Sequence, residues 1–229
     1  MKKVDTILTH LKLILLEMKS KEFFMIKKIT VAALLLSPIL ATAETNINPM
    51  IQLGYDWGGT TLATVYHPYD GTTKIRAGEG VSLEAGASVT MPENNFEMQF
   101  LVGYKFDQDD ANNGDVTWDT VPFTALAMIN NKRWKFGGGV TYHLNPHLSG
   151  GFSGYENGVY FNDSVDDKYD NAIGGVGVIQ YKVTNAFTVG LKGTLIEYKL
   201  TNDSSVTAKG NSVGFNLSYA FGNERSEFR

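Results

Sequence analysis

The sequence predicts an all-β protein, an eight-stranded antiparallel up-and-down transmembrane β-barrel. Three observations predict it: eight segments whose side chains alternate in character with a period of two, gaps that alternate long and short, and aromatic residues gathered at the segment ends. The stretch RWKFGGGVTYHL shows the alternation, with Trp134, Phe136, Gly138, Val140, Tyr142 and Leu144 on one parity and Arg133, Lys135, Gly137, Gly139, Thr141 and His143 on the other. Successive side chains of an extended chain point to opposite faces, so this strand meets two different solvents.

The first element precedes the barrel. In MIKKITVAALLLSPILATAE, Met25 to Glu44, Lys27 and Lys28 form a basic leader, Ile29 to Leu40 an apolar run, and Ala41-Thr42-Ala43 a small-x-small cleavage site. This is the pattern of a secretory signal peptide cut after Ala43. The run falls short of the roughly 20 residues that span a bilayer, and Pro38 interrupts it. Upstream, Lys12, Glu17, Lys19, Lys21 and Glu22 crowd the apolar patch Ile7 to Leu16, so Met1 to Phe24 reads as an extension of the frame with Met25 as the true start. The expected organisation is 1–43 as extension plus signal peptide, 44–222 as barrel and 223–229 as a short tail.

The strands are expected at 49–57, 77–91, 96–106, 118–130, 133–144, 172–183, 186–199 and 211–222. Most exceed the 9–11 residues that a tilted transmembrane strand needs. The third carries Phe96, Met98, Phe100, Val102, Tyr104 and Phe106 against Glu97, Gln99, Leu101, Gly103 and Lys105. The second sets Val81, Leu83, Ala85, Ala87, Val89 and Met91 against Ser82, Glu84, Gly86, Ser88 and Thr90, and the last sets Val213, Phe215, Leu217, Tyr219 and Phe221 against Gly214, Asn216, Ser218 and Ala220. Two strands fit less well. In AIGGVGVIQYKV, Val176 and Val178 oppose Ile179, Tyr181 and Val183, and the seventh strand changes parity near Leu195-Ile196; a bulge would repair either. Pro122 cannot donate to a ladder and is expected at a rim or bulge.

The gaps run long at 58–76, short at 92–95, long at 107–117, short at 131–132, long at 145–171, short at 184–185 and long at 200–210. Short turns at one end, long polar loops at the other, an even strand count and both termini on the short-turn side are the layout of outer-membrane barrels. Tyr55, Trp57, Tyr104, Phe106, Trp118 and Tyr142 fall at long-loop ends; Phe96, Trp134, Phe136, Tyr181, Phe187, Tyr219 and Phe221 fall at short-turn ends. Two interfacial girdles account for both sets, although aromatics also favour strands in general. The rival fold is a soluble ligand-binding barrel with the apolar parity turned inward.

An eight-stranded barrel has a lumen that side chains can fill. The inward parity supplies Gln52, Asp56, Glu84, Glu97, Gln99, Lys105, Arg133, Lys135, His143, Gln180, Lys182 and Lys192. Unpaired buried charge is costly, so these groups must pair. Arg133 and Lys135 are expected to meet Glu97 and Glu84, and Gly137 and Gly139 to leave room for long side chains from facing strands.

The chain has no cysteine, which removes thiolate catalysis, thiolate zinc sites and disulfides. Seven of the twenty Lys and Arg and three of the twenty-four Asp and Glu lie in residues 1–43, leaving a mature net charge of about −8. Nucleic acid is a poor partner for such a chain.

With the signal peptide, eight amphipathic segments and an aromatic-rich last strand, the mature chain resembles the small eight-stranded Gram-negative outer-membrane proteins, among them the membrane-anchor domain of outer membrane protein A and the small adhesion-and-defence barrels. The resemblance covers about 44–222 and is one of architecture. GFNLSYAF, Gly214 to Phe221, looks like the signal that the barrel-assembly machinery reads in this family. Family members usually end on that aromatic residue, whereas GNERSEFR follows Phe221 here, with Phe228 as a second candidate. The peptidoglycan-binding domain that follows the barrel in the larger relatives is not expected here. The resemblance implies an outer-membrane monomer in contact with membrane lipid and lipopolysaccharide.

Four readings would add chemistry. His147-Leu148-Ser149 resembles the His-x-Ser of outer-membrane lipid A deacylases, in which His activates Ser and an acid orients the His, with Glu156 the one acid in reach by sequence. His143 and His147 have helical metal-ligand spacing, which Asn145-Pro146 breaks. The spacing of the acidic stretches 107–115 and 162–170 does not match a calcium loop with its Gly and terminal Glu, and they read as solvated surface or as divalent-cation bridges to lipopolysaccharide phosphates. Finally, Asn157-Gly158 in loop 145–171 is a type I′ turn signal flanked by Tyr155 and Val159-Tyr160-Phe161. It offers either a hairpin presenting aromatics to an extracellular ligand or a lid over the barrel. No catalytic residue, metal ligand or cofactor site is assigned. The expected function is a non-enzymatic barrel plugged by paired charges, serving envelope structure or surface interaction, with a narrow solute pore or a lipid-modifying enzyme as alternatives.

Overall fold

The computed structural model describes residues 45–67, 71–111, 114–156 and 159–222. The signal peptide, the start at Met25 and the tail lie outside them. Thirteen strands occur: β1 Asn46–Gly58, β2 Thr61–His67, β3 Gly71–Arg76, β4 Gly80–Met91, β5 Phe96–Ala111, β6 Gly114–Asn131, β7 Trp134–Glu156, β8 Val159–Lys168, β9 Ala172–Lys182, β10 Phe187–Leu195, β11 Glu197–Lys199, β12 Thr207–Lys209 and β13 Ser212–Ala220. Eight of them, in the order β1-β4-β5-β6-β7-β9-β10-β13, form an antiparallel sheet that the β13–β1 and β6–β7 pairings close into a ring. Each of the eight expected segments supplies one strand of this ring.

Closure requires the alternation to keep one face outward all the way round, and it does. Leu53, Leu83, Phe100, Phe123, Phe136, Ile179, Leu191 and Phe215, one from each barrel strand, are all exposed, Leu83 at 58 % and Leu191 at 62 %. Water would not leave so continuous an apolar band uncovered on a monomer, whereas hydrocarbon suits it. Aromatic contacts mark both rims: Tyr55 edge-on to Trp57 at 4.7 Å at one, Trp134 edge-on to Tyr181 at 5.0 Å and Tyr219 edge-on to Phe221 at 4.9 Å at the other.

At the short-turn end the connections are tight. A 3₁₀ turn, Pro92–Asn94, closes on Asn95 with φ 51°, and Lys132 with φ 55° takes the turn between β6 and β7. At the other end the strands overshoot the membrane. β7 runs for 23 residues, its upper part pairs with β6 and β8 instead of β9, and Glu156 lies opposite Val159; the expected turn at Asn157-Gly158 lies outside the described residues. Loop 107–117 is likewise a continuation of β5 and β6, with Ala111 opposite Gly114.

Three sequence expectations need correction. β9 holds an unbroken register with both neighbours, so Val176 and Val178 are not displaced by a bulge. They point inward and pack against Leu126 and Met128 as an apolar patch of the lumen. The seventh strand does not change parity either: Thr194, Ile196 and Tyr198 are all buried and Leu195 and Glu197 exposed. The inner face itself turns apolar there. The irregularity lies at β6–β7, where the register shifts between Asp119 and Val121. Asn145, with φ 48°, takes up the extra residue on β7, beside Pro122 on β6 as the proline suggested.

Gly137 and Gly139 do a different job from the one expected. A Cβ on Gly139 would run into the Ala125 carbonyl, and one on Gly137 into the Ala127 carbonyl and Met128. These glycines let β7 approach β6 closely along their hairpin. We expect Gly139→Val to destabilise the barrel by about 1–3 kcal/mol, the usual cost of overpacking, measured by urea unfolding in lipid vesicles. An unchanged midpoint would contradict the close approach.

Candidate functional site

The interior is the one place where this sheet concentrates chemistry. Its centre is Asp56, almost wholly buried on β1, whose Oδ2 accepts from Lys105 Nζ at 2.8 Å and from Lys192 Nζ at 3.2 Å. Lys105 also donates to the Gly78 carbonyl at 2.7 Å, and Lys192 lies 3.9 Å from Glu84 Oε1. Gly214 makes this possible, since a Cβ there would strike Asp56 Oδ1. Two carboxylates thus face two ammonium groups, the only arrangement that keeps such charges affordable away from water.

Towards the short turns, Lys135 Nζ reaches Glu97 Oε2 at 2.7 Å. Gln99 Nε2 donates to Glu97 Oε1 at 2.8 Å, and Asn216 Nδ2 and Ser218 Oγ each donate to Gln52 Oε1 at 3.1 Å. Gln52, Asp56, Glu84, Glu97, Gln99, Lys105, Lys135, His143 and Gln180 are buried, and Lys182 and Lys192 share their inward parity. Arg133 departs from the expectation. It sits exposed in the turn, with Nη1 donating to Tyr181 Oη at 3.3 Å on the outer face. Lys135 meets Glu97, and Glu84 is met by Lys192.

Above the charges comes a different layer. Trp118, fully buried, contacts Tyr169 and Tyr198 edge-on with ring centres 5.3 Å away in each case. Ile75, Val116, Leu148, Ile196 and Ala208 complete the cluster, so all four long connections contribute to one apolar cap. Trp118 is therefore a cap residue, not a girdle residue. Backbone hydrogen bonds interlock the loops beneath it: Thr60 N to Lys209 O at 2.7 Å, Asp170 N to Lys199 O at 2.8 Å and Thr201 N to Lys168 O at 2.9 Å. Tyr198 Oη, hydrogen-bonded to His143 Nδ1 at 2.8 Å, joins cap to charge layer. The space left between Asp56, Glu84, Lys105, His143 and Lys192 is about 20 Å³, room for one water-sized molecule.

The outer histidine behaves differently. Past the Asn145 irregularity the parity of β7 inverts, Pro146 and Leu148 turning inward, so His147 and Ser149 lie on the outer face and His143 on the inner. The two histidines cannot share a metal. His147 Nε2 lies 2.6 Å from Asp166 Oδ1 and Nδ1 lies 3.8 Å from Asp119 Oδ1. Activating Ser149 would require one ring nitrogen to take its proton, but both face carboxylates. Glu156 stands nine residues farther up β7, about 30 Å away at 3.3 Å per residue. The hydrogen bond from His147, together with the nearby Lys168, holds the Asp166 carboxyl below its usual range.

In the acidic stretches, Asp107 accepts from the Arg76 backbone N–H at 3.5 Å and Asp110 from Gln108 at 2.9 Å. Among the described residues no three His, Asp or Glu side chains converge as a metal site. The sequence places Trp118 in a girdle and Asp166 in an acidic stretch, and does not single out Tyr198. The signal available was the change of the inner parity from polar to apolar at Val116-Trp118 and Ile196-Tyr198.

No protein-family model matches the chain, and no curated protein matches it. Among solved structures it is similar to Ail, the attachment invasion locus protein of Yersinia pestis, in complex with the heparin analogue sucrose octasulfate, at 10 % identity over 77 % of this chain and 99 % of that one, TM-score 0.45. It is also similar to neisserial surface protein A (12 % identity, 76 % and 98 % covered, TM-score 0.39). A third is the outer membrane protease OmpT from Escherichia coli (12 % identity, 79 % and 98 % covered, TM-score 0.38). None of them lends a residue role to this chain.

Replacing Asp56 with Ala leaves two buried ammonium groups with Glu84 alone, and we expect a loss of about 3–5 kcal/mol, measured by urea unfolding in lipid vesicles; a loss under about 1 kcal/mol would show that the lumen is well hydrated. The His147–Asp166 contact predicts a pH signature. A depressed carboxyl contributes stability that is present above its unfolded pKa and lost as pH falls through the lower folded value. His147→Ala should raise the Asp166 pKa, followed by NMR, with Lys168 still holding it down, and an unmoved titration would contradict the contact.

Proposed function

We propose that the chain is an outer-membrane β-barrel without enzymatic activity, closed to solutes, that serves envelope structure or surface interaction. The observation that carries this reading is the double seal of the lumen. Asp56, Lys105, Lys192 and Glu84 neutralise one another across the bore, and the Trp118–Tyr169–Tyr198 cluster covers them. An ion would have to displace a buried salt bridge and an apolar core to pass, each costing several kcal/mol.

The outer-membrane placement rests on the apolar belt, the aromatic rims, the short turns and described termini at one end, and the signal-peptide pattern of Met25 to Glu44. The partners that follow are lipopolysaccharide and phospholipid around the belt and the barrel-assembly machinery during biogenesis. An extracellular ligand would meet the β7–β8 hairpin, within 145–171. The barrel is read as a monomer.

The purified protein in planar bilayers should show no conductance steps above background; reproducible single-channel openings would favour the narrow pore. Cells carrying Ser149→Ala should keep the lipid A acylation pattern of the wild type. A changed pattern would revive the lipid-modifying enzyme.

A further inference from the structure

We propose that the turn between β6 and β7 is a seat for the phosphate of an acidic glycerophospholipid. The proposal rests on the membrane reading above and adds a specific lipid site to it. With Asn131 paired to Trp134, Lys132 and Arg133 form the two-residue turn, and both are exposed. The left-handed backbone of Lys132, φ 55°, sets the two cations at the tip of the β6–β7 hairpin.

The guanidinium is held in place. Arg133 Nη1 donates to Tyr181 Oη at 3.3 Å, the Tyr181 ring meets Trp134 edge-on at 5.0 Å, and Trp134 stacks on Phe136 at 6.2 Å. This anchors a planar cation on a lipid-facing aromatic cluster, at the depth where Trp and Tyr mark the headgroup level. A guanidinium offers a rigid fork of N–H donors matched to phosphate oxygens. The Lys182 backbone N–H donates to the Arg133 carbonyl at 2.7 Å and ties the turn to β9. Below the cations, Phe136, Ile179 and Ile129 present exposed apolar surface along which acyl chains can lie.

Charge sorting gives the seat its specificity. The other short turns, 92–95 and 183–186, contain no Lys or Arg, and the first carries Glu93. The long-loop end carries both signs, Asp107, Asp109, Asp110, Asp115 and Asp166 beside Lys74, Arg76, Lys168, Lys199 and Lys209. An acidic phospholipid in the short-turn leaflet therefore meets one basic sector of the rim, not a ring.

The test uses the mature protein in nanodiscs of an equal mixture of phosphatidylcholine and phosphatidylglycerol, with retained lipid read by native mass spectrometry after release. Each basic residue near a membrane surface contributes about 1 kcal/mol, so Lys132→Gln with Arg133→Gln should lower phosphatidylglycerol retention at least tenfold. Glu93→Gln at the neighbouring turn should not lower it. Equal retention by wild type and double variant overturns the proposal, as does displacement of the lipid by inorganic phosphate, which would make this a free-phosphate site. If the double variant fails to fold, each single substitution is scored in the same way. A wild type that folds without any amphiphile would instead overturn the membrane reading.

Discussion

Hydrocarbon offers backbone N–H and C=O groups no partner, and that constraint organises the whole chain. A sheet in lipid must supply every hydrogen bond itself and can leave no edge. Pairing of the last strand, β13, with the first, β1, from Met50–Ala220 to Gly58–Ser212, seals the ring. In the β6–β7 hairpin, Gly137 and Gly139 on β7 let the two backbones approach closely. Strand length, strict alternation and short turns follow from the same requirement.

Closure then dictates what the interior contains. Eight strands leave space for side chains but little for solvent, so the inward charges must satisfy one another. Asp56 does this for two lysines at once, and Glu97 does it for Lys135 with help from Gln99. Above the membrane the strands continue, but the constraint changes. The outer face there meets water, so His147, Asp119 and Asp166 lie outside while Trp118, Leu148 and Tyr198 turn inward. The same sheet is polar inside at one height and apolar inside at another, and the His143–Tyr198 hydrogen bond marks the boundary.

That change of solvent explains what the sequence could and could not reveal. Alternation is local, so every barrel strand was legible, including the inward Asp56, Glu97 and Lys105. Ile196 and Tyr198 looked like a parity slip because the reading assumed one solvent for the whole strand length. Asp166 was hidden for another reason: it faces His147 from a neighbouring strand 19 residues on, and cross-strand register is not written in composition. Arg133 was assigned to the lumen by parity alone, yet a two-residue turn takes it out of the alternation and gives it to Tyr181.

The central claim is that the apolar face of this barrel is its outside. Gel migration of the mature chain, refolded with and without detergent and loaded with and without boiling, tests it most directly. The account predicts a β signal and a heat-modifiable band only when amphiphile is present. A chain that folds in plain buffer, with no shift on boiling, would mean that the apolar side chains face inward and would contradict it.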